Sequence, residues 1–154
     1  MNILVSGCLL GLSCRYDGKE MSYPQVVKLL KQKNCHLIPV CPEQLGGLKT
    51  PRDPAELVED RVLTCRGEDV TAAYEAGARE ALKLAGLYHC RYAILKEKSP
   101  SCGCGSVYDG TFSRTLVSGN GKTAQLLLEN GIEVVGEHQL DKLLERLLAE
   151  PQKT

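Results

Sequence analysis

Residues 70–95 read VTAAYEAGAREALKLAGLYHCRYAIL, and this stretch decides the fold because it places a helix directly before a strand. Apolar and small residues recur at three- and four-residue spacing over 70–85, which predicts a helix with one buried face. Asp69 is the expected N-cap of that helix, and Gly86 is its expected end. The uniformly apolar run at 92–95 is typical of a strand that is buried on both sides.

The alternation of strand and helix continues on both sides of this unit. Three further apolar runs predict strands and three further periodic stretches predict helices. The strands lie at 3–5, 36–40 and 132–135, and the helices at 24–33, 122–130 and 140–148. This order predicts an α/β fold with a mostly parallel sheet of about four to five strands and helices on both faces, as in Rossmann-like and flavodoxin-like proteins. The stretches 41–56 and 96–113 show neither period, and we expect long irregular loops there.

Length and composition bound the functional classes. The 154 residues are 43% hydrophobic and 25% charged, which is typical of a globular chain. We expect one domain over 1–150 and a short tail at 151–154. Lysine and arginine total 19, as do aspartate and glutamate, so the chain lacks the basic surplus typical of nucleic-acid binders. No apolar run has the length of a membrane helix. The expected location is the cytoplasm, and no nucleic-acid or membrane partner is expected.

Eight cysteines are the unusual feature of this composition. In a reducing cytoplasm, such a number indicates metal binding or thiol chemistry rather than disulfides. Cys8 follows the first predicted strand, Cys41 follows the second, and Cys102 lies seven residues beyond Leu95 at the end of the third. Because ligands of an open parallel sheet bind outside the carboxyl ends of its strands, we expect these three thiols to converge.

The other five cysteines divide into two groups. Cys35, Cys65 and Cys90 are expected to be packing residues, since free cysteine is among the most buried residue types. Cys14 and Cys104 lie in loops beside the three converging cysteines. For each of these two, a fourth metal ligand, a resolving thiol and a bystander remain open.

Three thiolates from three separate loops indicate a metal centre whose ligand set is incomplete, since no C-x2-C pair is present. Thiolates favour zinc or iron–sulfur clusters. Three functional classes follow: an iron–sulfur enzyme, a zinc-stabilised binding module held by Cys8, Cys41, Cys102 and Cys104, and a thiol oxidoreductase that uses Cys102 and Cys104.

Four motifs occur in order along nearly the whole chain: VSGCLLGLSCRYDG at 5–18, CPEQLGGLKTPRDPAE at 41–56, LKEKSPSCG at 95–103 and YDGTFS at 108–113. They resemble the successive signatures of the bacterial thiouracil desulfidase catalytic-domain family, formerly a domain of unknown function. The resemblance implies a [4Fe–4S] cluster with three cysteine ligands and a fourth iron that receives the sulfur of a thiolated pyrimidine. The implied reaction is non-redox: C=S becomes C=O, and sulfide leaves.

Carried over position by position, the resemblance implies that Cys8, Cys41 and Cys102 bind the cluster. It further implies that Glu43 is the acid/base residue and that Ser99 belongs to the active site. Their residue types alone leave Glu43 open as a surface carboxylate and Ser99 as a turn residue before a proline.

Two further segments are candidates for binding an anionic group of the substrate. Arg52 lies between two prolines and is expected either to bind a carboxylate or phosphate or to stabilise its own loop through a salt bridge. Backbone amides at 119–123, where a helix is predicted to begin, are a second candidate.

Overall fold

The structure, a computed structural model, describes the backbone of residues 1–149 and the side chains of residues 1–146. The expected tail at 151–154, and with it the end of the expected domain, lies outside the described residues. The strands are β1 Asn2–Ser6, β2 His36–Val40, β3 Ala55–Val58, β4 Arg61–Thr64, β5 Tyr92–Leu95, β6 Ser106–Tyr108, β7 Leu116–Ser118 and β8 Glu133–Gly136. The α-helices are α1 Pro24–Val27, α2 Pro42–Leu45, α3 Thr71–Leu87, α4 Lys122–Glu129 and α5 Leu140–Ala149, and 3₁₀ turns cover Gly7–Leu9, Lys28–Lys31 and Glu137–Gln139.

Four parallel strands form the central sheet, in the order β2-β1-β5-β8. This confirms the predicted α/β class, and the order is that of the first four strands of a flavodoxin-like sheet. The chain first adds β2 on one side of β1 and then adds β5 and β8 on the other. The strand order therefore reverses between β1 and β5, where ligands bind in such sheets.

Helices cover both faces of the sheet, as predicted. Successive side chains of a strand point to opposite faces, so neighbouring residues of β1 belong to different clusters. Leu4 packs with Ala81 of α3 and Leu127 of α4. Its neighbour Val5 belongs to a second buried cluster, with residues of α1 and α5 such as Leu143. Within residues 1–149, no helix combines the length and apolar composition needed to cross a membrane.

Helix α3 forms where its periodicity predicts, but both of its ends differ from the prediction. The helix begins at Thr71, and the Asp69 carboxylate accepts the Thr71 amide at 2.9 Å from one residue before the cap position. The helix also runs through Gly86 to Leu87. The residue with left-handed backbone is His89, with φ of 53°, so Gly86 does not end the helix.

Two short antiparallel hairpins, β3–β4 and β6–β7, are not predicted by the sequence. Their strands have only three or four residues, which is too short to show a period of two. The first hairpin turns at Glu59, a left-handed non-glycine residue, so the usual Asn-Gly or Asp-Gly signal is missing. The stretches expected to be irregular therefore contain α2, β3 and β6. The helix predicted over 24–33 is likewise split into α1 and a 3₁₀ turn.

Helix α2 lies unusually close to α3 because glycines face each other at the contact. A Cβ atom on Gly77 would lie 1.9 Å from the Pro42 carbonyl oxygen, and one on Gly46 would lie 2.0 Å from the Ala73 carbonyl oxygen. No larger residue fits at either position without moving the backbone. This contact fixes α2, and with it the end of β2, against the longest helix of the fold.

We therefore expect Gly77→Ala to lower the free energy of unfolding by about 2 kcal/mol or more, because the added methyl group overpacks the α2–α3 contact. Gly86→Ala in the same helix is the matched control, since a Cβ atom there meets nothing within 4 Å. Gly86→Ala should stabilise the protein by about 0.5–1 kcal/mol through helix propensity. Urea unfolding of the two variants measures both values. Equal stability of Gly77→Ala and the wild type would contradict the close contact.

Candidate active site

A cavity of about 580 Å³ lies at the carboxyl ends of β1, β2 and β5, at the point where the strand order reverses. Cys8, Cys41 and Cys102 all line this cavity. Cys8 lies in the 3₁₀ turn after β1, Cys41 joins β2 to α2, and Cys102 lies in the turn that follows β5. The topology thus brings together three thiols that are more than thirty residues apart in sequence.

For two of these thiols, those of Cys41 and Cys102, the surroundings favour the neutral form. Burial, helped by the nearby Glu43 and Cys41, raises the pKa of Cys102 to about 12, against a hydrogen bond with Ser6 that lowers it. A hydrogen bond with Cys14, together with burial, raises the pKa of Cys41 far above its ordinary value. Any metal that binds here must displace protons from these two thiols.

Cys14 lines the cavity, whereas Cys104 does not. The Cys41 thiol donates to the Cys14 carbonyl oxygen at 3.5 Å. A hydrogen bond with Cys41 lowers the pKa of the Cys14 thiol, but one with Cys8 and burial raise it, and the net shift is upward. Cys104 packs against the core and donates to the Val134 carbonyl oxygen at 3.7 Å. The thiol-oxidoreductase alternative, which needs Cys102 and Cys104 together, therefore has no support from this arrangement.

The cysteines expected to be packing residues behave differently from one another. Cys35 and Cys90 are buried in the two core clusters, as predicted. Cys65 is exposed, so that expectation was wrong for Cys65. The reason is its position just after β4, in a two-stranded hairpin that lies outside the central sheet.

The three cavity thiols are not all as close together as the ligands of a single zinc ion. Thiolates around one tetrahedral zinc, with bonds of about 2.3 Å, lie about 3.8 Å apart. Among the described residues, no three cysteine sulfur atoms lie within 4.8 Å of one another. Within the described part of the chain, the one group of three potential metal ligands within 4.8 Å of one another is Glu97, Glu137 and His138. Ion pairs already engage this group, one from Lys96 to Glu137 and one between His138 and Glu97.

Glu43 is the carboxylate nearest to these thiols in the chain, and two side chains fix its orientation. The Tyr74 hydroxyl donates to Oε1 of Glu43, and the Arg52 guanidinium lies 3.3 Å from the same oxygen. Both contacts end on Oε1, which leaves Oε2 for a water molecule or a substrate. The close approach of α2 and α3 makes the Tyr74 contact possible, because Tyr74 lies one turn before Gly77 on α3.

Arg52 lines the cavity and contacts both Glu43 and the backbone of two loops. Its side chain is only 7% exposed, and it donates to the Cys14 carbonyl oxygen at 2.9 Å as well as contacting Glu43. Of the two alternatives left by the sequence, the structure shows the stabilising salt bridge.

Ser99 lines the cavity and shapes the turn that carries Cys102. Its Oγ accepts the amides of Ser101 and Cys102, each at 3.1 Å. The same turn docks on the start of α4, where the amides of Lys122 and Thr123 donate to the carbonyls of Pro100 and Ser101. The expectation that amides at 119–123 bind a substrate anion is therefore wrong for these amides, since the protein itself occupies them.

Several residues of the cavity are not predicted by the sequence. Tyr74 occupies the buried face of α3 and has the pattern of a core residue. The one available signal was that Tyr74 is an aromatic residue on a face of otherwise small residues. Glu56 lies in a strand without a sequence signal. Tyr108 and Phe112 lie within the YDGTFS motif but have no role assigned there.

The chain is similar to known proteins along nearly its whole length. A family model described as 2-thiouracil desulfurase matches residues 3–139. The uncharacterized protein YbbK of Bacillus subtilis is 43% identical over an alignment of 152 positions, and the alignment covers 92% of this chain and 99% of YbbK. The solved structure of a [4Fe-4S]-dependent thiouracil desulfidase, TudS, matches with a TM-score of 0.88 and 42% identity, over 97% of this chain and 99% of that one. These matches confirm the resemblance that the four sequence motifs indicate.

We expect alkylation to distinguish the thiols of the metal-free protein. At about pH 8, the buried Cys102 should react with iodoacetamide at least about a hundredfold more slowly than the exposed Cys65, because the thiolate is the nucleophile and a raised pKa keeps Cys102 protonated. Quenched labelling followed by peptide mass spectrometry measures both rates. Equal rates would contradict the buried, neutral state of Cys102.

Proposed function

The chain belongs to the 2-thiouracil desulfurase family, and from that premise we propose that it replaces the sulfur of a thiolated pyrimidine, such as thiouracil, with oxygen. One water molecule is consumed: its oxygen forms the new C=O bond, the C–S bond breaks, and the sulfur leaves as hydrogen sulfide with both protons. No electron is gained or lost, so the proposed reaction needs no reductant or oxidant.

The observation that carries this proposal is the shared cavity of Cys8, Cys41, Cys102 and Glu43 at the strand ends. We propose that the three thiolates bind a [4Fe–4S] cluster, the cofactor named for the similar protein TudS. Two features support this assignment: thiolate is the ligand type that iron–sulfur clusters use, and the three sulfur atoms do not all lie within 4.8 Å of one another, as the thiolates around one zinc ion would.

When bound, the cluster supplies a thiophilic iron without a protein ligand, which polarises the C=S bond of the substrate. Glu43 is the proposed acid/base residue. Its Oε1 is engaged by Tyr74 and Arg52, so Oε2 is the oxygen that takes a proton from the attacking water. The orientation of the Glu43 carboxylate therefore does not depend on the substrate.

Ser99 has a second proposed role. Because its Oγ accepts two backbone amides, the hydroxyl proton stays available for an acceptor atom of the substrate. In this role Ser99 orients the pyrimidine ring while it also caps the turn that carries Cys102.

We propose a cytoplasmic location and a small-molecule substrate. All eight cysteines are free, which suits a reducing compartment. The net charge of zero gives no electrostatic footprint for nucleic acid. We also propose that residues 1–150 act as one unit.

We expect Cys8→Ser, Cys41→Ser and Cys102→Ser each to lose the cluster, because each removes one of three thiolate ligands. The measurement is iron and acid-labile sulfide per chain after anaerobic purification, where the wild type should contain about four of each. Cys104→Ser is the matched control and should keep the wild-type content, since Cys104 lies outside the cavity. Full iron content in any of the first three variants would remove that residue from the ligand set.

We expect Glu43→Gln to keep its iron but to lower the rate of sulfide release from thiouracil by about 10²–10⁴-fold, the usual contribution of a positioned acid/base group. Glu68→Gln, at an exposed position outside the cavity, should release sulfide at the wild-type rate. Sulfide and uracil are measured together in an anaerobic assay. Normal turnover of Glu43→Gln would exclude its acid/base role.

A further inference from the structure

The loop 109–115, between β6 and β7, is a closed, hydrogen-bonded segment that contributes Phe112 and Arg114 to the cavity lining. The Asp109 amide donates to the Thr115 carbonyl oxygen at 2.9 Å and closes the loop at its base. The Asp109 carboxylate accepts the Thr111 amide at 3.0 Å inside the loop. The segment therefore has a defined shape that does not depend on packing against the central sheet.

A buried carboxylate from a different hairpin fixes the position of this loop. Glu56 of β3 is only 8% exposed, and its Oε1 accepts the amides of Gly110 at 3.0 Å and Phe112 at 3.1 Å. Hydrogen bonds to a carboxylate are stronger than those to neutral acceptors. Among the described residues, Glu56 forms no ion pair with a cation, and both of these hydrogen bonds go to the loop.

The backbone of the loop is strained where it meets the cavity. Phe112 and Arg114 both have left-handed backbone, with φ of 58° and 62°, and both line the cavity. Such conformations of bulky residues cost free energy and persist where the surroundings impose them, often at ligand clamps. Phe112 is the single phenylalanine of the chain, and the residue stays 38% exposed.

We propose that the Phe112 ring stacks on the pyrimidine ring of the substrate and that Glu56 is the positioning residue for this contact. The inference rests on the proposed function, because it assigns the binding of the planar ring in the same cavity. Aromatic side chains stack on nucleobases whatever their substituents, since every base has a π-face. Phe112 therefore serves binding of the ring, and the cysteines and Glu43 serve the chemistry at sulfur.

The test is steady-state kinetics of the cluster-loaded enzyme with 2-thiouracil. We expect Phe112→Ala to raise KM about tenfold or more while kcat changes by less than about threefold, as loss of a base-stacking contact predicts. Phe112→Tyr, which keeps a planar ring, should restore most of the binding. Leu116→Ala, at an exposed apolar position on the same hairpin but outside the cavity, should keep the wild-type KM. The inhibition constant of uracil, a competitive inhibitor, should rise in Phe112→Ala by the same factor as KM, because stacking does not involve the sulfur.

The Glu56 variants test the positioning role. Glu56→Leu removes the acceptor for two amides and should reproduce the KM increase of Phe112→Ala, with no further increase in the double variant. Glu56→Gln keeps an acceptor oxygen and should show a smaller increase. An unchanged KM and uracil inhibition constant in Phe112→Ala would overturn the inference while leaving the proposed function intact. A wild-type enzyme with full cluster and no sulfide release from thiouracil would overturn both.

Discussion

The carboxyl ends of neighbouring parallel strands meet at one edge of a sheet, and the site of this protein depends on that constraint. In the strand order β2-β1-β5-β8, the point at which the chain switches to adding strands on the other side of β1 lies between β1 and β5. The segments that leave β1, β2 and β5 there each contribute one thiol, from Cys8, Cys41 and Cys102. Short loops on a rigid sheet thus bring together ligands that are remote in sequence.

Two of the loops that carry these cysteines, the Cys102 turn and the segment after Cys41, are held by contacts that do not involve the thiols. The turn of Cys102 is capped by Ser99 and docked on the first amides of α4. The segment after Cys41 is fixed by the close contact between α2 and α3, which requires Gly77. The shapes of these two loops are consequently fixed by the protein itself, while their surroundings favour the neutral thiols of Cys41 and Cys102. Metal binding then replaces protons without having to order the loops, which lowers its entropic cost.

The sequence predicted the central sheet well because its strands are buried runs and its longest helix has a clear period. The convergence of Cys8, Cys41 and Cys102 followed from topology alone. The partners of Glu43 were not predictable in this way, since Tyr74 and Arg52 reach it across different elements and neither contact leaves a periodic signal. Local composition likewise gave no sign that Cys65 is exposed, because its burial depends on a hairpin that is too short to be detected.

The proposed chemistry requires that three cysteines bind a four-iron cluster and leave one iron for the sulfur of the substrate. Mössbauer spectroscopy of the anaerobic, ⁵⁷Fe-labelled protein tests it most directly, because each iron site gives its own signal. We expect thiouracil to change the signal of one iron site and to leave the other three unaltered. A spectrum with no cluster signal, or one in which thiouracil leaves every iron site unchanged, would contradict it.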